Sequence, residues 1–437
     1  MVTPIMRILT TTIRSPYPPA AVLAAAAVVA STLLSGAGAA SAEPTAGLDP
    51  TTVPMTTPAT DDCPHRTSTP PAVDASEVVP AGQTTPTPLP VPTPAVGGER
   101  LAGCGLVTDP AAGDVPSGLT SAGWLIADLD SGDVIAAKDP HGRYRPASTI
   151  KVLLALTALE EIDLDTTVTA TAEDWTAEGD SCGVGPGGRY TLRDIMTGLL
   201  MVSGNDCAAI LARELGGVPT ALEKMNRKAA DLGARDTRAA SPSGLDAAGM
   251  STSPYDLALI FREAMRNADF RHMIALRTYE FPGYPKQKDV PGDEDHPGYT
   301  MGTSNSLLRD GYPGMLGGKT GFTDDARKTF VGAVTRDGRS VLIVQMYGLN
   351  YAGNSYFDQA ERMLDYGFAA PRDVSVGSLA VDEDSQRSPL HAPETKTASA
   401  NDSASSGRVW IAVGAVAAVL AAAGAVWLLT VRSRRRD

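Results

Sequence analysis

Three short blocks in this chain carry side chains that could together perform acyl transfer on a serine. In chain order they are Ser148-Thr149-Ile150-Lys151, Ser203-Gly204-Asn205 and Lys319-Thr320-Gly321. They contain a nucleophilic hydroxyl, an amine that can serve as its base, a second hydroxyl for proton relay, an amide to hold substrate and a cation for a carboxylate. Such a set needs neither histidine nor metal.

The first block pairs a serine with a lysine at the start of an apolar run. Ser148 precedes a helical pattern over 149–162, and Lys151 follows three residues later on the same face. The free N–H groups and the dipole at a helix N-terminus favour negative charge that develops there. Taken alone, such a pair is more often an N-capping serine and a solvated lysine.

The second block could handle a proton and a peptide unit. Ser203 could relay the proton, and the Asn205 amide could both donate to and accept from a substrate. Gly204 between them permits a tight turn that would aim both side chains the same way. As an isolated motif, this is more often a turn that connects two helices.

The third block lies in a predicted strand at 317–323, whose glycines would let an extended substrate approach. Lys319 would act as a point charge for a carboxylate, and Thr320 and Thr323 would add hydroxyl donors. A surface strand with a solvated lysine is the alternative for this block alone. A Walker A phosphate loop is excluded because Pro313 stands where its first glycine should be.

The elements that must position these blocks follow from the apolar pattern. Segments 124–128 with 134–137, and 329–335 with 341–347, predict two hairpins joined by Gly-containing turns. Helical patterns lie between and after them, at 149–162, 191–198, 206–215, 218–232, 254–268 and 356–366. This order predicts an α+β fold, with one antiparallel sheet from both ends of the domain and a helical cluster.

Both ends of the chain predict export and membrane attachment. Residues 1–42 have the basic, apolar and Ala-x-Ala parts of a signal peptide cleaved before Glu43, with an uncleaved anchor as the alternative. The uncharged segment 409–431 would span about 35 Å as a helix, and we expect it to be transmembrane. Its basic tail, 432–437, would lie in the cytoplasm, which predicts a single-pass cell-membrane protein with an extracytoplasmic body.

Composition divides the remaining chain and excludes some partners. The Pro/Thr-rich residues 43–104 predict a disordered stalk and residues 381–408 a flexible tether, which leaves 105–380 as the catalytic domain. The net charge of −13, without a basic stripe outside the tail, disfavours nucleic acid as a partner. The five histidines lack ligand spacing, so we expect no metal site and no cofactor.

The four cysteines fit an oxidising compartment. Three pairings are possible, and we favour Cys63 with Cys104 and Cys182 with Cys207 because each pair lies within one region of the chain. The second pair would brace a Gly-rich loop against the helix after Asn205. A free buried thiol is the alternative for Cys207.

In this order, the three blocks resemble the motif set of the low-molecular-mass penicillin-binding proteins, which are serine D-alanyl-D-alanine carboxypeptidases. Segments 239–246, 305–308 and 313–324 are similar to the same family, and the resemblance covers most of 124–366. It implies a penicillin-binding-protein/β-lactamase-like transpeptidase fold. It also implies a peptidase that removes the terminal D-alanine from peptidoglycan pentapeptide stems and is inhibited covalently by β-lactams.

The resemblance implies a role for each residue of the site. Ser148 would be acylated, Lys151 would accept its proton, and Ser203 would pass that proton to the leaving amine. The backbone N–H groups of Ser148 and Phe322 would form the oxyanion hole. The substrate-binding positions would be Asn205, Lys319, Thr320, Gly321 and Thr323. Burial beside cationic Lys319 should lower the pKa of Lys151, which must be neutral to act as a base.

Three alternative functions remain. A class A β-lactamase shares the blocks, but no Glu-x-x-Leu-Asn segment lies between Asn205 and Lys319. A DD-endopeptidase would use the same residues and differ in what its cleft admits. A silent wall-binding module would have no chemical reason to keep the reactive side chains. Many relatives carry a β-rich domain after the catalytic one and an amphipathic anchor, whereas here a tether and a spanning helix are expected to follow Pro371.

Overall fold

The computed structural model describes residues 58–79 and 81–379, and within them the two ends of the catalytic domain form one antiparallel sheet. Its strand order is β1-β3-β2-β10-β9-β8, and β11 pairs with β3. Two small hairpins, β4–β5 and β6–β7, lie apart from it. The strands are β1 Leu106–Val107, β2 Gly123–Asp128, β3 Asp133–Lys138, β4 Thr167–Thr169, β5 Arg189–Thr191, β6 Thr278–Phe281, β7 Tyr299–Gly302, β8 Met315–Thr323, β9 Arg327–Arg336, β10 Arg339–Gly348 and β11 Gly377–Ser378.

Pairing between distant parts of the chain closes this sheet. β2 lies against β10, with Ile126 opposite Ile343, so the first predicted hairpin joins the second edge to edge. The turn between β9 and β10 is Asp337-Gly338, and both residues have positive φ, 48° and 69°. A two-residue turn with positive φ at both positions matches the right-handed twist of its strands. Both predicted hairpins and the antiparallel sheet are confirmed.

The helices have identifiable start signals. Thr191 with Asp194 and Ser355 with Asp358 form capping boxes, which satisfy N–H groups that a helix leaves unpaired. The helices are α1 Lys151–Glu161, α2 Ala172–Trp175, α3 Leu192–Met201, α4 Asn205–Glu214, α5 Val218–Asp231, α6 Pro254–Ala264, α7 Ala268–Ile274, α8 Ser306–Arg309 and α9 Tyr356–Ala369. The helix predicted over 254–268 ends early, because Asn267 caps a new helix, α7, through Phe270 N.

The sheet is buried on both faces. On one face Leu125 and Leu342 pack with α1 and α6 in the larger apolar core, and on the other Ile126 and Ile343 pack against α9. Successive strand residues point to opposite faces, so both faces of β2 must be apolar. α1 lies at the centre of the helical cluster and contacts α3, α4, α5 and α6. The nucleophile block therefore begins a helix that the whole domain holds in place.

The segment before the domain differs from its prediction. Residues 58–79 and 81–104, called the N-terminal strap below, have little regular secondary structure but lie against the domain. The buried guanidinium of Arg143 donates to the carbonyls of Thr67, Leu89 and Pro90, at 3.2, 2.7 and 3.0 Å. The prediction of disorder is therefore wrong for these residues. The composition of this segment shows too few apolar side chains to form a core. It does not reveal the buried arginines, elsewhere in the chain, that hydrogen-bond to the backbone of the segment.

Other predicted regions lie outside the described residues. They are the signal peptide 1–42, residues 43–57 of the stalk, the tether 381–408, the transmembrane helix 409–431 and the basic tail 432–437. Among residues 58–79 and 81–379, no helix is both long and apolar enough to cross a membrane. Membrane attachment therefore stays a prediction.

Candidate active site

Ser148 lies in a tight turn directly before α1. The turn is a 3-10 helix, Ala147–Ile150, entered through Ala147 at φ 47°. The hydroxyls of Thr149 and Thr329 both donate to Pro146 O, at 2.6 and 2.9 Å, and tie the turn to β9. Ser148 is half-buried. The sequence predicts a helix that begins at Thr149, directly after Ser148, whereas the α-helix begins at Lys151.

Lys151 reaches three oxygens with its three possible N–H groups. Its Nζ lies 2.8 Å from Ser148 Oγ, 2.6 Å from Asn205 Oδ1 and 2.6 Å from Ser243 O. A neutral amine would keep two donors for Asn205 and Ser243 and turn its lone pair toward the Ser148 hydroxyl. This geometry suits proton transfer from Ser148 to Lys151.

The surroundings of Lys151 favour that neutral form. Its side chain is fully buried, and burial, followed by the positive charge of Lys319, holds the pKa of Lys151 well below its ordinary value. Asp180 and Asp206 act in the opposite direction but are the smaller influences. The expected lowering of this pKa agrees with the structure, although burial contributes more than Lys319 does.

The second block, Ser203-Gly204-Asn205, joins α3 to α4 at the end of the helical cluster where Lys151 lies. Ser203 has φ 68°, and its buried Oγ has no hydrogen-bond partner among the described residues. Asn205 begins α4, and its Nδ2 donates to Glu178 O at 2.5 Å while its backbone N donates to Asp180 O at 2.6 Å. One N–H of the Asn205 amide remains for a substrate carbonyl.

A loop at 178–184 is fastened to the start of α4. The carboxylate of Asp206 accepts from Cys182 N at 2.8 Å, Gly183 N at 3.1 Å and Ser181 Oγ at 2.6 Å. Cys182 is also disulfide-bonded to Cys207, as the sequence analysis favoured, and Cys63 is bonded to Cys104. The loop that holds Asn205 is therefore attached by both hydrogen bonds and a covalent bond.

The third block lies on β8, an edge strand that pairs only with β9 in the described sheet. Lys319 is 1% exposed and donates to Thr320 O at 2.7 Å, which leaves two N–H groups for a ligand. Thr320 Oγ1 lies 3.1 Å from Ser304 Oγ. Burial, opposed by Asp180, lowers the pKa of Lys319 to about 7. A buried cation on an edge strand is suited to an anionic group.

Two glycines let the walls of the site touch the nucleophile turn. A Cβ at position 321 would lie 2.9 Å from Ser148 N, and one at position 244 would lie 2.0 Å from Ala147 O. Any larger residue at either position would push the turn away. This close approach places the backbone of β8 beside the amide of Ser148, where the predicted oxyanion hole includes Phe322. The Phe322 ring is 52% exposed and carries Lys328 Nζ above it, 4.2 Å from its centroid.

The structure adds residues to which sequence analysis gave no role. Ser243 O holds Lys151, and Asp180 is the carboxylate whose charge acts on both lysines. Ser243 lies in segment 239–246, which resembles the family, but a backbone carbonyl acceptor leaves no trace in a sequence. Thr323 Oγ1 accepts from Ala326 N at 2.9 Å.

Two clusters of buried side chains have the composition of a metal site, but their side chains are already bonded to other protein groups. Cys182 and Cys207 next to Asp206 are joined in a disulfide. Asp236 accepts from His141 Nδ1 at 2.8 Å and from Arg143 Nε at 3.2 Å, beside Asp256. An arginine at such close range competes with a cation for the carboxylate.

Comparison with known proteins agrees with this geometry. A sequence model described as D-alanyl-D-alanine carboxypeptidase, peptidase family S11, matches residues 111–349. The D-alanyl-D-alanine carboxypeptidase DacB2 of Mycobacterium tuberculosis is 48% identical over 259 residues, which is 59% of this chain and 85% of that protein.

Solved structures show the same fold. The crystal structure of a D-alanyl-D-alanine carboxypeptidase from Mycobacterium tuberculosis H37Rv has a TM-score of 0.56 and 46% identity, covering 61% of this chain and 97% of that one. The Streptomyces K15 DD-transpeptidase has a TM-score of 0.52 and 26% identity, covering 59% of this chain and 99% of that one. By sequence and by fold, this chain belongs to the D-alanyl-D-alanine carboxypeptidase family, peptidase family S11.

Proposed function

We propose that this protein is a serine DD-carboxypeptidase, which removes the terminal D-alanine from peptidoglycan pentapeptide stems through an acyl-enzyme on Ser148. The observation that carries the proposal is the contact of 2.8 Å between Lys151 Nζ and Ser148 Oγ, made by a buried lysine with a lowered pKa. Family membership supports the choice of D-alanyl-D-alanine as the bond that is cleaved.

Acylation begins with proton transfer. Neutral Lys151 takes the hydroxyl proton of Ser148 as Oγ attacks the carbonyl carbon of the penultimate D-alanine. The negative charge that develops on the carbonyl oxygen is held by the backbone N–H groups of Ser148 and Phe322. The C–N bond then breaks, and the proton passes from Lys151 through Ser203 to the amine of the departing D-alanine. The unpartnered, buried hydroxyl of Ser203 is available for this relay.

Carboxylate binding directs the enzyme to the end of a peptide. Lys319 holds the terminal carboxylate by charge, and the hydroxyls of Thr320 and Thr323 provide further donors. The substrate backbone lies along β8, where Gly321 leaves room, and Asn205 holds its other side. In a cross-linked stem, the side chain of a neighbouring stem replaces the terminal D-alanine, so a site built around a terminal carboxylate favours carboxypeptidase over endopeptidase action.

Water completes the cycle. After D-alanine leaves, Lys151 is neutral again and can take a proton from a water that attacks the ester on Ser148. Hydrolysis releases the shortened stem and restores the serine. A β-lactam presents its amide carbonyl and carboxylate to the same groups. When its ring opens, the leaving amine stays covalently joined to the acyl group and does not depart. We therefore expect it to remain on Ser148 as a long-lived acyl-enzyme.

We also propose that the catalytic domain acts outside the cytoplasm, tethered by a single transmembrane helix at 409–431. The uncharged length of that segment, the four arginines after it and the apolar run in 1–42 support this topology. The disulfides Cys63–Cys104 and Cys182–Cys207 support an oxidising compartment. Peptidoglycan stems are found in that compartment.

The test is release of D-alanine from a diacetylated pentapeptide analogue, followed by mass spectrometry. We expect one D-alanine per peptide from the wild type and none from Ser148→Ala. The same protein incubated with penicillin should gain one penicilloyl mass, again lost in Ser148→Ala. Labelling that persists in Ser148→Ala would refute the nucleophile. Cleavage of cross-linked dimers without D-alanine release would favour an endopeptidase, and neither activity would favour a silent module.

A further inference from the structure

The N-terminal strap contacts the turn that carries the nucleophile. Arg145 lies three residues before Ser148, and its side chain is 1% exposed. Its Nε and Nη2 donate to the two carboxylate oxygens of Glu77, at 2.5 and 2.7 Å, and its Nη1 donates to Pro70 O at 2.7 Å. All three guanidinium nitrogens of this buried arginine therefore face the strap.

The same part of the strap contacts the end of the carboxylate-binding strand. Asp325, 3% exposed, follows β8 by two residues. It accepts from Val73 N at 2.5 Å and from Ser76 Oγ at 3.3 Å, and lies 3.9 Å from Arg145 Nε. Residues 70–77 thus join the two elements that must hold Ser148 and Lys319 in register.

Charge explains why Glu77 matters most among these contacts. A buried guanidinium is stable only when its charge and donors are matched, and the bidentate carboxylate of Glu77 matches both. Without it, Arg145 would retain one carbonyl and the longer contact to Asp325. The guanidinium would then move toward Asp325 and carry the turn of Ser148 with it.

We propose that Glu77 is a positioning residue for the Ser148 turn, and that the strap is a working part of the catalytic unit although it precedes the family-matched residues 111–349. This inference rests on the proposed function, because it assumes that Ser148 is the acylated residue. Glu77 acts through Arg145 and touches no substrate. Its removal should therefore slow acylation without weakening the binding that precedes it.

The experiment compares penicillin acylation of the full chain and Glu77→Gln, with rate and pre-acylation affinity measured separately well below each melting temperature. We expect Glu77→Gln to acylate about tenfold more slowly, because small misplacement of a nucleophile is costly, with affinity changed less than about twofold. Glu77→Asp, which keeps the charge, should recover part of the rate. Hydrogen exchange of the peptide 147–153 should quicken in Glu77→Gln.

Arg238→Met is the matched control. Arg238 donates to Thr87 O at 2.8 Å, so this variant also removes an arginine contact to the strap, but at a different place. We expect its acylation rate to stay within about twofold of the wild type.

Unchanged acylation and exchange in Glu77→Gln, or equal slowing in Arg238→Met, would overturn the inference. If Glu77→Gln does not fold, Glu77→Asp decides by the same two measurements: slower acylation and faster exchange than in the wild type support the inference, and no change in either overturns it. A wild type that does not acylate at all would instead refute the proposed function, while exchange at 147–153 would still test the role of Glu77.

Discussion

Two buried lysines in one cleft must differ in charge for the proposed chemistry to work. Lys151 contacts Ser148, Asn205 and Ser243, and its pKa is lowered by burial and by Lys319. Lys319 donates to Thr320 O, and Asp180 opposes the lowering of the pKa of both lysines. Only the pKa of Lys151 is also lowered by a lysine cation, which favours Lys151 as the base and Lys319 as the cation.

Replacing each lysine should separate chemistry from binding. Lys151→Ala should lower the acylation rate by about 10²–10⁴ while substrate affinity is retained, because the amine acts on a proton in transit. Lys319→Ala should also weaken binding, since a charge-assisted hydrogen bond is worth roughly 1.5–3 kcal/mol. Rapid-quench kinetics of both variants would measure these effects.

A substrate amidated at its C-terminus provides the control for that experiment. The wild type should cleave it poorly, and Lys319→Ala should lose little further activity on it. Equal cleavage of amidated and free-acid peptides by the wild type would contradict carboxylate recognition by Lys319 and make endopeptidase action the better explanation.

The two lysines also predict a bell-shaped dependence of kcat/KM on pH. The acid limb rises as Lys151 loses its proton, at a pH well below the ordinary lysine range. Lys319 binds carboxylate only when protonated, so the basic limb falls as the pH passes its pKa of about 7. Lys319→Arg, which stays charged, should remove the basic limb and keep the acid one. If the basic limb persists in Lys319→Arg, the deprotonation that causes this limb belongs to another group.

At the scale of elements, the site depends on how the loop 178–184 is attached to α4. Asn205 is held through Glu178 O and Asp180 O, and the loop is fixed in turn by Asp206 and the Cys182–Cys207 disulfide. A loop with no helix or strand of its own is thereby attached to the start of α4 by hydrogen bonds and a covalent bond. The amide of Asn205 needs this attachment to meet both Lys151 and a substrate.

Removing that disulfide should affect both stability and activity. The bonded residues are 25 apart, and closing a loop of this size contributes about 2–4 kcal/mol to the free energy of unfolding. Chemical denaturation of the Cys182→Ala, Cys207→Ala double variant would measure the loss, and its acylation rate should fall as well. The Cys63→Ala, Cys104→Ala double variant, which opens the strap instead, should also lose stability. An acylation rate equal to that of the wild type in Cys182→Ala, Cys207→Ala would show that the Cys182–Cys207 bond has no part in holding Asn205.

At the scale of the whole molecule, the catalytic unit extends beyond its family-matched region. The strap supplies three carbonyls to Arg143, and one carbonyl and a carboxylate to Arg145. Both arginines are buried immediately before the nucleophile turn. Loss of the strap would expose them to water at one side while the apolar core still encloses the other.

A chain shortened to 105–437 should therefore be destabilised, although it keeps every motif residue. Each hydrogen bond lost from a charged group costs roughly 1.5–3 kcal/mol, so the sum reaches several kcal/mol. Differential scanning calorimetry should show a lower melting temperature, while a chain ending at 379, which keeps the strap, should melt like the chain ending at 407. An unchanged melting temperature on removal of the strap would mean that Arg143 and Arg145 find other partners.

The residue types of the site and the general fold could be predicted from sequence because both rest on short-range patterns. The spacing of Ser148 and Lys151, the alternation in both hairpins and the helical periods are local features of the chain. The order of the three blocks then limited the chemistry to serine acyl transfer. The favoured pairing of Cys182 with Cys207 likewise used only proximity along the chain.

Only the tertiary structure decided which groups surround those residues. The acceptor Ser243 O, the charge of Asp180 on both lysines and the contact of Glu77 with Arg145 join residues that are far apart in sequence. The strap shows the reason most clearly. Composition measures what a segment can bury by itself, whereas its order here comes from hydrogen bonds to arginines that another part of the chain has buried.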